Sequence, residues 1–102
     1  MYRRSKAMPN EFKVYFWDTE FEKLDIKKNM KYIISRLFTE GDMDTFNWIR
    51  QTYTKEEIIE TVKTSRRFNP ITANFLKLFY NLKEEEMMYY INIKSANYVY
   101  KG

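Results

Sequence analysis

Two glycines and two prolines in 102 residues leave little material for tight turns. Sheets need many turn residues, so this scarcity favours helices joined by short connections. Hydrophobic residues make up 44% and aromatics 19%, enough for one real core, and the length argues for a single domain. The expected class is mainly α. The segmentation predicts a four-helix domain over residues 12–82, a basic arm over 1–11 and a tyrosine-rich tail over 83–102.

Before the helices, "FKVYFWD" (Phe12–Asp18) alternates loosely and reads as a short strand. The first helix then starts at Asp25, a good N-cap, with Ile26, Met30, Ile33, Ile34, Leu37 and Phe38 on one stripe. Gly41 is expected to end it as a left-handed cap. Asp42 caps the second helix, Met43 to about Thr52, which buries Phe46, Ile49 and Tyr53 and carries Trp48 off that stripe. Thr54 and Glu57 form a capping box that opens the third helix, which runs to about Thr64 with Ile58, Ile59 and Val62 inward.

A five-residue connection, "SRRFN" (Ser65–Asn69), leads into the fourth helix. Asn69 is its cap and Pro70 its first residue, where the missing N–H costs nothing. The helix is expected to run from Pro70 to Asn81, with Ile71, Phe75, Leu78, Phe79 and Leu82 as its core stripe. The tail is rich in strand-prone residues, Tyr89–Ile93 and Tyr98–Tyr100, around a weak "KSAN" turn, and predicts a C-terminal β-hairpin.

Chemistry is narrowed by what is missing. Without cysteine or histidine there are no disulfides, thiolate nucleophiles, Cys/His zinc sites or imidazole acid–base groups. The pairs Asp42/Asp44 and Glu56/Glu57 stand at helix starts, where they complement the helix dipole. No glycine-rich phosphate loop is present. No catalytic residue, metal or cofactor is expected, and the chain reads as a binding protein rather than an enzyme. No apolar run approaches the ~18 residues of a membrane span. The basic start lacks the apolar core of a secretory signal. Absence of cysteine fits the cytoplasm.

Net charge is +4 and unevenly spread. Thr61–Lys83 holds five basic residues and no acid; Ile26–Thr39 holds four, again with no acid. Such segments are compatible with a polyanion partner. The third and fourth helices, joined by a short basic turn, have the outline of a helix-turn-helix, in which the second helix presents its N-terminal residues to the major groove. Arg66 and Arg67 would hold phosphates, and Asn69, Thr72 and Lys77 would face bases or backbone. Against this, the turn has no glycine, and Leu76 and Tyr80 fall on the face that should meet DNA. A plain structural turn, a DNA contact and a protein or RNA contact all remain open for "SRRFN". The alternative to DNA is a protein-interaction module that uses Trp48, Leu76 and Tyr80 with the tyrosine-rich tail.

The stretches "FWDTEFEKLD" (Phe16–Asp25), "YIISRLFTEGD" (Tyr32–Asp42) and "TANF" (Thr72–Phe75) resemble a family of small bacterial proteins of unknown function. The resemblance covers roughly Phe12 to Leu82. It departs from the common pattern after "TANF", where Leu76 stands in place of a tryptophan. Members are often encoded beside nucleotidyltransferase-type toxins of abortive-infection systems. The resemblance therefore implies an antitoxin or a regulator of such an operon. With the helix-turn-helix outline, the leading expectation is a DNA-binding transcriptional regulator or antitoxin, and the alternative is a protein-interaction module that binds a toxin-like partner without nucleic acid. A homodimer is expected if paired DNA half-sites are read.

Overall fold

The computed structural model describes residues 8–101, with side chains through residue 94. Most of the basic arm, residues 1–7, therefore lies outside the described residues. Among those described there are five α-helices: α1 (Met30–Glu40), α2 (Met43–Thr52), α3 (Lys55–Thr64), α4 (Pro70–Phe79) and α5 (Met88–Lys101). Three short 3-10 helices, Asn10–Phe16, Phe21–Lys23 and Glu84–Glu86, complete them. The chain is mainly helical, and no strand occurs among the described residues.

α1 is the centre. Ile33, Ile34 and Leu37 are fully buried, and the helix packs against the first 3-10 helix, α2 and α3. α3 carries Ile58 and Val62 inward and packs in turn against α5. Tyr53, at the end of α2, donates its buried hydroxyl to the Ile26 carbonyl at 2.7 Å and so fastens the segment ahead of α1.

The N-caps of α2, α3 and α4 are where they are expected. Asp42 Oδ1 accepts from the N–H groups of Asp44 and Thr45 at 3.0 and 3.3 Å. Thr54 and Glu57 form both bonds of the capping box. Asn69 Oδ1 accepts from Thr72 N at 2.7 Å, with Pro70 opening α4. Each cap satisfies an N–H that the first helical turn would leave bare.

Four expectations are corrected. The predicted strand at Phe12–Asp18 is instead largely the 3-10 helix Asn10–Phe16. Phe12 and Phe16, four residues apart, are buried, while Val14 between them is exposed, which breaks the period of two that a strand requires. Asp25 does not open α1; its Oδ1 caps a separate turn, accepting from Lys27 and Lys28 N–H at 2.8 Å each, and α1 begins only at Met30.

Gly41 is not left-handed. Its φ is −89° and its ψ −166°. What it supplies is space: a Cβ there would overlap Thr45 Oγ1 and the Leu37 carbonyl. The left-handed residue is Asn81, φ 56°, after α4. Leu82 N–H bonds to Lys77 O at 2.8 Å and Asn81 N–H to Leu78 O at 3.2 Å, the two crossed bonds of a Schellman ending.

The tail is helical, not a hairpin, and four helices become five. Met87 and Tyr89 are buried where this segment joins α3. An isolated hairpin is marginal, and with Asn10–Phe16 helical there is no third strand among the described residues to support one.

Candidate interaction surface on α2 and α4

The basic turn is pinned from below. Phe68 is buried, Ser65 Oγ accepts from Ser35 Oγ at 3.1 Å, and Arg67 N–H reaches Ser65 Oγ at 3.4 Å. Arg66 and Arg67 point to solvent and make no ion pair among the described residues. Arg67 borders a shallow hollow that also contains Asp18, Arg36 and Glu40, so carboxylates share its surroundings.

α4 is turned the other way from its expected orientation. Ala73 and Leu76 are completely buried, whereas Ile71 is 83% and Leu78 68% exposed, with Phe75 and Phe79 each at 45%. The inward stripe is thus Ala73, Leu76 and Tyr80; of the residues expected in the core, Ile71, Phe75, Leu78 and Phe79 are exposed, and Leu82 packs partly buried against the core. Tyr80 is half-buried, and its hydroxyl is covered without a hydrogen-bond partner; burial pushes the phenol's pKa up. Trp48 is half-buried, edge-on to Phe12 at 5.6 Å and to Tyr53 at 6.0 Å. Leu76, Tyr80 and Trp48 therefore act in packing and do not form one outward surface.

The residues expected to face DNA are also dispersed. Asn69 is occupied as the α4 cap, and Thr72 is partly buried. Lys77 leans away toward the tail. Its Nζ lies 3.3 Å from Glu84 Oε2 and 5.3 Å from the centre of the Tyr90 ring, with a side chain only 20% exposed. Lys94 approaches Glu84 Oε1 at 3.3 Å, so one carboxylate holds a lysine from α4 and another from α5. These two lysines keep the Glu84 carboxyl below its ordinary range.

What the fold does bring together is apolar. Phe46 of α2 is buried between Phe38 of α1 and Phe75 and Phe79 of α4, with ring centroids 5.2–5.8 Å apart. Beside it opens a groove of about 300 Å³, floored by Leu37, Phe46 and Leu76 and walled by Met43, Ile71 and Phe75. Asp42, the N-cap of α2, lines this groove together with Ile71. At the far end the Arg50 guanidinium lies over the rings of Phe46 and Phe79, 5.7 and 5.5 Å from their centres. Arg50 and Lys55 border a second hollow next to Phe79 and Tyr80. The outward ridge therefore runs from an acidic end to a basic end.

The polar cluster around Arg36 has a different role. Its guanidinium takes Asp18 at 3.0 Å through both nitrogens, the Tyr15 carbonyl at 3.2 Å and Tyr32 Oη at 3.0 Å. The paired guanidinium holds the Asp18 carboxyl below its usual range, and Asp18 in turn holds Arg36 more firmly protonated. Both terminal nitrogens of Arg36 are engaged, and through Tyr15 and Asp18 they tie the first 3-10 helix and the turn after it to α1. One signal of the true α4 orientation was present in the sequence: Ala73, the one small apolar residue of the helix, marks where it approaches its neighbours most closely.

No helix among the described residues is long and apolar enough to cross a membrane. The chain belongs to a family of unknown function, DUF6922, whose pattern matches residues 11–62. The match runs from the first 3-10 helix into α3 and includes Met43, Phe46 and Arg50, while α4 lies beyond it. No curated protein and no solved structure matches the chain.

Proposed function

We propose that this chain is a non-enzymatic protein-interaction module, and that the α2–α4 face is where another protein chain binds. The observation that carries this is the α4 ridge: Ile71 and Leu78, seven residues apart, are the most exposed large aliphatic side chains of the helix, and Phe75 lies between them. Spacing of four and three residues is that of a helix packing seam. Contiguous exposed apolar patches of this kind mark interaction sites. The toxin-like protein implied by the family resemblance is a partner of this class.

The test is a photo-crosslinking residue placed at position 78, compared with one at exposed Lys23, with the chain at its natural abundance. Adducts to protein should form from position 78 and not from 23. A position 78 that yields no protein adduct would sink the proposal.

A second possibility, a DNA-binding regulator, is favoured by one observation: Arg66 and Arg67 are exposed just ahead of the α4 N-terminus and form no ion pair among the described residues. The outward face of α4 counts against it, because aliphatic and phenylalanine side chains occupy the place where base-reading groups would stand.

A further inference from the structure

We propose that the occupant of the α2–α4 face is a second copy of this chain, with its α4 antiparallel to the first. This rests on the face being a protein-binding surface, and it follows from how charge is laid along it. α2 and α4 run in the same direction, since Asp42 and Met43 share the groove with Ile71, while Arg50 lies on Phe79. The ridge therefore has Asp42 at its beginning and Arg50 and Lys55 at its end, and the groove between them is lined by apolar side chains and the uncharged Thr72.

A surface with opposite charges at its two ends is complementary to itself when turned around. In a two-fold pair, whatever residue i meets, its symmetry mate meets as well. An antiparallel arrangement brings Asp42 toward the other copy's Arg50, twice. It also places Ile71 opposite the other copy's Leu78, with Phe75 near the two-fold axis. The seven-position separation of Ile71 and Leu78 spans about 10 Å of helix, two turns of matched seam. A parallel arrangement would set Asp42 on Asp42 and Arg50 on Arg50, which is repulsive at both ends. Arg50 makes no ion pair among the described residues, and its guanidinium already lies across the face, over Phe79.

The experiment is sedimentation velocity of the full chain over about 1 µM to 1 mM, the range in which a modest interface assembles. The wild-type chain should pass from monomer to dimer. Leu78→Asp should weaken dimerisation by roughly a hundredfold or more, because each copy places a carboxylate in the apolar seam; its circular dichroism should stay native, since Leu78 is exposed within one chain. Asp42→Asn keeps the helix cap and removes the charge. Asp42→Asn and Arg50→Gln should each weaken the dimer about fivefold, as loss of two symmetry-related rim pairs predicts. Their combination should be no worse than either alone, since both remove the same pair.

A chain that stays monomeric throughout overturns the proposal, and so does a dimer that survives Leu78→Asp. Charge effects that simply add overturn the antiparallel arrangement. If the chain is monomeric while position 78 crosslinks to a different protein, self-pairing fails and the interaction module stands. If position 78 crosslinks to nothing, both fail.

Discussion

Leu76 and Leu78, two residues apart in α4, lie on opposite sides of the helix: the first is completely buried and the second 68% exposed. The two leucines therefore have opposite roles despite their identical chemistry. Leu76→Ala should cost about 2–5 kcal/mol, the usual range for opening a cavity in a core. Leu78→Ala should stay within about 0.5 kcal/mol, as exposed substitutions do. Urea unfolding at protein concentrations below the pairing range measures both. Equal costs would mean that α4 is oriented the other way.

Gly41 joins α1 to α2 with no room for a side chain. Gly41→Ala should destabilise by about 1–3 kcal/mol, the typical range for overpacking. Much of that loss should be recovered in Gly41→Ala/Thr45→Ala relative to Thr45→Ala alone, because the Thr45 side chain supplies two of the three close contacts. The same unfolding measurement reads the coupling, and strictly additive costs would show that Thr45 is not what the new Cβ meets.

Glu84 should make the attachment of the tail sensitive to acid. Its folded carboxyl is held below the ordinary value of 4.5 by Lys94 and Lys77. A carboxyl depressed in the folded state stabilises that state above its unfolded pKa and loses this contribution as pH falls through the folded value. The contribution should therefore be complete above about pH 4.5 and fade below it. Helical circular dichroism followed from pH 7 to pH 3 should show a step that Glu84→Gln flattens. A titration unchanged by that substitution would show that Glu84 does not hold α4 and α5 together.

Arg66 and Arg67 separate the nucleic-acid possibility from the protein one. Fluorescence anisotropy of a mixed-sequence duplex at about 50 and 200 mM salt detects general DNA binding, which should weaken steeply with salt through counterion release. The geometry of α4 predicts no such binding, and Arg66→Ala with Arg67→Ala should leave both the anisotropy and the stability unchanged. Salt-sensitive binding in the micromolar range that the double substitution abolishes would instead make the basic turn the functional site.

The sequence by itself determined the helical class and the N-caps and approximate limits of α2, α3 and α4. Asp42, Thr54, Glu57 and Asn69 act within a few residues of themselves, so their hydrogen bonds are settled locally. The orientation of α4 was not decided at that level. Ile71, Phe75, Leu78 and Phe79 form one apolar stripe, and Ala73, Leu76 and Tyr80 form another, so periodicity alone identifies an amphipathic helix with two candidate inner faces. Tertiary structure chose between them. Ala73 allows close approach, Leu76 fills the core, and Lys77 on the same side finds Glu84 and Tyr90. The tail was settled in the same way. Tyrosine and isoleucine carry strand propensity, but that propensity expresses fit to a sheet surface. With no strand to pair with among the described residues, the segment buries Met87 and Tyr89 and continues as a helix.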